Sequence, residues 1–363
     1  MRSSVTSGNR KHLDWNLVST SALRLLFAPS RLLILPLLLL FTPIPGPLYA
    51  GTGANPDTPN AGSSAGQVRL AEQALLFGNL DDALARTRWI LASNPNDGAA
   101  YLLMCRSFYA EEHANAAIQA CAAAVRLMPR SSAAEDWLGR AYGMAAKAAG
   151  PISGLSLALK VKAAFAAAVQ LDPEDGPAVN DLSEFYIDAP AFLGGGMDKA
   201  MALAERVQSS LPQQADRIRA LAAEKQKDYA TAQSAFQAAA AVANQPAAWV
   251  DLGAFYRRRG EYDKAVETLN QTLALDPKRD ASLVDVANLL GRMHREPEVA
   301  WSALQDYLHG GARSDAAPAV KVYVMLGEIL ASRGDRTGAK IEFEKALSMA
   351  SGYAPAQRAL QQL

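Results

Sequence analysis

The sequence predicts an all-α protein built as a solenoid of helix hairpins, and three observations carry that expectation. Alanine makes up roughly a fifth of the 363 residues, far above ordinary usage. It is the best helix former, and its small side chain lets helices approach closely. Half of the residues are hydrophobic but only 7% are aromatic, so the apolar surface is spread over many close helix contacts rather than gathered in one large core. From about residue 67 onward, the same spacing of apolar, small and turn residues returns repeatedly.

Residues 1–50 read as a secretory signal. Arg2, Arg10, Lys11, Arg24 and Arg31 stand against Asp14 alone, a net +4 that cancels the −4 of the remainder and gives the chain its formal charge of zero. An apolar run of about ten residues, 32–41, follows, interrupted by Pro36, and then a proline-rich stretch ending at Ala50. A membrane span needs about twenty residues, so cleavage after Ala50 or Ala54 is expected. No cysteine follows the run, which argues against a lipid-anchored mature end. The expected location is therefore outside the cytoplasm, periplasmic or secreted. Contact with a membrane is expected only through the signal before cleavage. Residues 51–66, rich in Gly, Pro, Ser and Asn, read as a flexible tether.

The clearest repeat covers 248–277. Trp249, Leu252, Gly253 and Tyr256 fall on one face of a first helix, Gly260 and Tyr262 form a turn, and Ala265, Leu269 and Leu273 line a second helix that Pro277 stops. The register recurs in order. Leu70, Ala74, Gly78, Ala83 and Pro95 mark the first unit, and Tyr101, Phe108, Ala117 and Pro129 the second. Leu138, Gly139, Tyr142, Phe165 and Pro173 mark the third, with extra residues around 150–154. Leu182, Tyr186, Ala200 and Pro212 mark the fourth, lengthened by 189–196. Tyr229, Ala232 and Phe236 mark a fifth with a weak first helix. Val286, Leu290, Ala300 and Leu304 form a degenerate seventh, and Tyr323, Gly327, Gly334, Ala339 and Phe343 an eighth. Residues 67–350 thus hold about eight repeats, and 351–363 read as a capping helix over the last apolar face.

The pattern W-x2-L-G-x2-Y, then Ala, an aromatic and Pro, resembles the tetratricopeptide repeat family, in the manner of its exported bacterial members. The resemblance implies a right-handed superhelix whose first helices line a concave groove, and a non-enzymatic scaffold that binds a peptide or protein there. By register the groove residues are Arg106, Tyr109, Arg140, Asn180, Glu184, Arg217, Arg257 and Arg258. Arginine and tyrosine are common at interface hot spots, and several arginines would suit an acidic segment. The Gly-rich insert Phe192, Leu193, Gly194, Gly195 and Gly196 reads either as a mobile binding loop or as a lengthened surface turn. It resembles inserts in transporter-associated periplasmic members, so the alternative reading is a ligand-binding accessory subunit of a transporter system. Val250 and Ala254 stand where chaperone-tail binders of the family carry Lys and Asn, which argues against that partner.

Nothing in the sequence points to catalysis, a metal or a cofactor. His12, His113, His294 and His309 show no metal-ligand spacing. The glycines at 194–196 lack the following Lys and Ser/Thr of a phosphate loop. The acid pairs Asp81/Asp82 and Glu111/Glu112 read as helix-start residues at exposed hairpin turns. With no excess of positive charge, there is no field to hold nucleic acid. Cys105 and Cys121 should face each other inside the second hairpin. They are read first as two buried thiols, and alternatively as a bridge in an oxidising compartment.

Overall fold

The computed structural model describes residues 64–243, 245–275, 280–311 and 313–363. The signal segment, with His12, and the tether up to residue 63 lie outside the described residues. Residues 64–66, read from sequence as tether, already belong to the first helix.

The described residues form an all-α helical solenoid. Its hairpins pair α1 (Ser64–Leu76) with α2 (Leu80–Ser93), α3 (Gly98–Ala110) with α4 (Ala114–Leu127), α5 (Ser132–Ala148) with α6 (Pro151–Leu171), and α7 (Gly176–Asp188) with α8 (Met197–Val207). They continue with α9 (Pro212–Lys225) and α10 (Tyr229–Ala243), α11 (Pro246–Arg258) and α12 (Tyr262–Leu275), α13 (Ser282–Met293) and α14 (Pro297–His309), and α15 (Ala319–Ser332) and α16 (Arg336–Met349), followed by α17 (Ala354–Gln362).

Local sequence sets the ends of these helices. Just after Pro95, Pro129 and Pro173, a short polar side chain starts the next hairpin: Asp97 accepts from the Ala100 N–H, Ser131 from Ala134 and Asp175 from Ala178, at 3.0, 3.2 and 3.1 Å. Glycine fixes the closest helix approach within a hairpin. A Cβ at Gly139 would stand 2.4 Å from the Phe165 ring, and one at Gly327 2.4 Å from Phe343, so a larger residue would force the pair apart.

Several expectations change. The extra residues of the third unit form no loop: Pro151 occupies the first turn of α6, and the insertion lengthens α5 to 17 residues and α6 to 21. The fourth unit's insert is a closed turn. Residues Ala191–Leu193 make one 3-10 turn, the Gly194 and Gly196 N–H groups bond to the carbonyls of Ala191 and Tyr186, and Leu193 is buried while Phe192 is exposed. The fifth unit's first helix, α9, is a full 14 residues, with Ala215, Ile218 and Leu221 buried; alanine in place of the usual larger residues had hidden it. Glu111 and Glu112 end α3 rather than start α4, and Glu111 is buried beside His113, 3.2 Å away. Cys105 and Cys121 are joined in a disulfide with their Cα atoms 5.0 Å apart, so the bridge, not the thiol pair, is what the structure contains.

The largest departure is closure. The array does not run out as an elongated superhelix, because its first and last repeats meet. Residues of α1, α2 and α3 (Leu75, Leu80, Leu103) share one core cluster with residues of α15, α16 and α17 (Val320, Phe343, Ala356) and with Tyr353. Ala319 packs directly on Gly78. Polar contacts reinforce the seam: Arg106 to Asp315 at 2.6 Å, the Ser351 N–H to Asp81 at 2.9 Å, and Arg358 to Glu112 at 3.8 Å. The capping helix thus lies at this seam, packed on α15 and α16 and reaching Glu112 through Arg358.

Candidate functional site

The inner face is built from one position repeated in each first helix. In chain order it holds Glu72 on α1, Arg106 on α3, Arg140 on α5 and Asp181 on α7. It continues with Arg217 on α9, Asp251 on α11, Asp285 on α13 and Lys321 on α15. Arg217 and Asp251 are 34 residues apart, one repeat; Arg140 and Asp181 are 41 apart because the fourth first helix follows the lengthened hairpin. Four carboxylates and four cations occupy the eight places.

They bond across repeats. Arg140 Nε donates to Asp181 at 2.6 Å and its Nη2 lies 3.0 Å from Asp136, one turn earlier on α5. Arg217 bridges Glu184 at 2.7 Å and Asp251 at 2.8 Å, spanning α7, α9 and α11. Two turns further along the same face, Arg258 on α11 donates from Nε and Nη2 to the two carboxylate oxygens of Glu224 on α9, at 2.5 and 2.6 Å. Arg106 reaches Glu72 at 3.7 Å as well as Asp315. Trp137 on α5 sits beneath two of these cations, with the Arg140 and Arg106 guanidinium carbons 4.7 and 5.9 Å from its ring centre. Tyr109 meets the Trp137 ring edge-on at 5.2 Å.

Burial governs the electrostatics. It pushes the Glu184 carboxyl up to about 7 against the pull of Arg217, and Asp285 up to about 6 against Lys321. Asp136 is raised for the same reason, and burial lowers Lys321 in spite of Asp285. Burial also opposes the charged forms of Arg140 and Arg217, but their flanking carboxylates outweigh it and hold both cations charged above the ordinary arginine value. The Tyr109 phenol is raised, mainly by burial.

Four of the expected groove arginines are paired within the array. Arg106, Arg140, Arg217 and Arg258 point where the register placed them, but the neighbouring repeats already use them. Asn180 and Arg257 lie half-buried on α7 and α11. What the array leaves over is mostly oxygen. Within two turns of that inner position, Asp136 Oδ1, Asn180 Oδ1, Glu184 Oε2, Asn288 Oδ1 and Glu328 Oε2 are buried without a hydrogen-bond partner, as are the donors Arg217 Nη1 and Trp249 Nε1. Glu328 is pushed up to about 8 by burial. Among the described residues no group of His, Cys, Asp and Glu could hold a metal ion. His113, His294 and His309 lie at three separate helix ends.

Sequence reasoning missed Asp136, Asp181, Asp251, Asp285, Lys321 and Trp137. The signal was available in the one-repeat spacing of oppositely charged residues, as in Arg217 and Asp251.

Tetratricopeptide repeat family models match residues 223–290 and 320–353. A search of curated proteins gives no match. Among solved structures, the chain is similar to a thermophilic TPR protein from Thermus thermophilus, with 20% identity, 63% of this chain and 99% of that one covered, and a TM-score of 0.43. It is also similar to a tetratricopeptide repeat protein from Parabacteroides merdae, with 12% identity, 82% and 97% covered, and a TM-score of 0.40. The two family-model matches, one running from the end of α9 into α13 and the other over the α15–α16 hairpin, support the tetratricopeptide repeat family for this chain.

Proposed function

We propose that the protein is a non-enzymatic interaction scaffold of the cell envelope that holds a peptide or protein segment on its inner face. Tetratricopeptide repeat domains generally mediate protein–protein interaction, and the array is the surface on which that would happen here. The observation that carries the reading is the set of inner-face oxygens left unpartnered: Asp136, Asn180, Glu184, Asn288 and Glu328. A buried polar atom without a partner is costly, and a segment that inserts hydrogen-bonding groups against this face would offset that cost. The ladder holds these acceptors in place before binding, which lowers the ordering cost of association. Export fits the basic and apolar leader and the Cys105–Cys121 bridge, which persists in oxidising compartments.

Affinity capture from an envelope fraction of the native host tests the reading. A protein partner should co-purify with the wild type and be retained at least tenfold less by Glu328→Leu, which removes both carboxyl oxygens from the inner face. A co-purifying small molecule with no protein would instead favour the transporter-accessory reading. N-terminal sequencing should find a mature end near Gly51 or Asn55, and a full-length cytosolic product would overturn export.

A further inference from the structure

We infer that the tip of the α5–α6 hairpin is a membrane-docking surface, which lays an apolar stripe onto an anionic lipid headgroup layer. Ile152, Leu155 and Leu159 are exposed at the spacing of one helix face, Ile152 to 87%. Phe192, 73% exposed, is carried beside them on the 3-10 turn, which is fastened to α6: Leu193 lies in one core cluster with Ala158 and Val161, and Gly194 backs onto the Lys162 side chain. Over Ile152–Leu171, α6 reaches a mean hydropathy of 1.6. The array covers α6 on the faces toward α5, α7 and the 3-10 turn, and leaves the stripe outside together with Ser153, Ser156 and Lys160.

Charge selects the occupant. Between Asp136 and Asp172 the sequence has no acidic residue, while Lys160 and Lys162 fall on α6 of this hairpin; Lys147 on α5 faces Glu112 of the neighbouring repeat, and Arg140 points inward. The adjoining turn adds Lys199 and one acid, Asp198. The chain beyond residue 50 carries a net −4, so the molecule is polarised, and a negative surface would attract the tip and repel the body. A second copy is the poorer occupant. Two cationic tips repel each other, and four side chains fall far short of the roughly 1,600 Å² of a standard protein interface. A headgroup layer sets no such minimum, and each lysine near it strengthens partitioning about fivefold, equivalent to about 1 kcal/mol. The inference stands apart from the inner-face reading, since the hairpin tip contributes none of the unpartnered acceptors.

The test uses the full chain with Ile152→Cys carrying an environment-sensitive fluorophore; the two native cysteines are bonded to each other and do not take the label. Far-UV circular dichroism confirms the fold, and Ile341→Cys on α16, exposed to 48%, is the control position. On phosphatidylethanolamine–phosphatidylglycerol vesicles the label at 152 should shift to the blue, while the label at 341 should not. The response should be absent on phosphatidylcholine vesicles and about thirtyfold weaker in Lys160→Gln/Lys162→Gln. No shift at 152 on the anionic vesicles overturns the inference. So does an equal shift on phosphatidylcholine. A shift produced only by an added acidic protein also overturns it and assigns the surface to a protein partner.

Discussion

Arg217→Met is the most informative single substitution, because one guanidinium ties three successive first helices together. It contacts Glu184 at 2.7 Å and Asp251 at 2.8 Å. The Glu184 side chain is only 9% exposed and that of Asp251 28%, so nearly all of the penalty falls on Glu184. Removing one partner of a buried pair costs about 3–5 kcal/mol. Water still reaches Asp251, so the lower end applies, about 3 kcal/mol above pH 8. Glu184 has a folded-state pKa of about 7, above the usual carboxylate value. A group raised in this way contributes stability that is fully present below the unfolded carboxylate pKa and is lost as pH rises through about 7. Without Arg217 the carboxyl shifts further up and becomes protonated more readily. The cost of the substitution should therefore shrink to about 1 kcal/mol near pH 5, the value of a lost hydrogen bond. Urea unfolding of wild type and variant across pH, followed by far-UV circular dichroism, measures both numbers. Arg217→Met/Glu184→Gln should recover most of the loss at high pH. A cost below about 0.5 kcal/mol at every pH, as expected for an exposed arginine, would show that the ladder holds nothing together.

Three further outcomes are expected. Reduction of the Cys105–Cys121 bridge, which joins residues 16 apart, should cost about 3 kcal/mol and lower the melting temperature; two freely alkylated thiols in the native protein would contradict the bridge. Lys227 turns the α9–α10 hairpin with φ 65°, where Gly78 and Gly260 turn others. Lys227→Gly should therefore stabilise by up to about 1 kcal/mol, and a loss in chemical denaturation would show that its side chain supports the turn. Gly327→Ala should destabilise by about 1–3 kcal/mol through the Phe343 clash. Gly291→Ala on α13, where a Cβ meets nothing within 4 Å, should gain a few tenths to about 1 kcal/mol; the same sign for both would refute the packing argument.

The hairpins were legible because their information is local. Gly139 facing Phe165 and Gly327 facing Phe343 are set by spacing within one unit, and the caps at Asp97, Ser131 and Asp175 lie within three residues of what they bind. The facing of Cys105 and Cys121 was legible for the same reason, although their bonding was not. The inner ladder was half legible. The register placed Arg106, Arg140 and Arg217 on the correct face, but reading each residue alone could not show that Asp181 or Asp251, one repeat away, would occupy it. Closure was not legible at all. It depends on curvature summed over eight hairpins, and its contacts join residues such as Arg106 and Asp315, 209 apart.

That closure is the central structural claim, since a closed array holds its inner face rigid and an open superhelix would not. Carbodiimide coupling of Arg358→Lys to Glu112 tests it most directly, because the native side chains approach to 3.8 Å across the seam. Purified monomer should yield, on digestion and mass spectrometry, the peptide bearing position 358 joined to the peptide bearing Glu112. Monomer lacking that linkage, or the linkage found only in cross-linked dimers, would mean that the two ends do not meet.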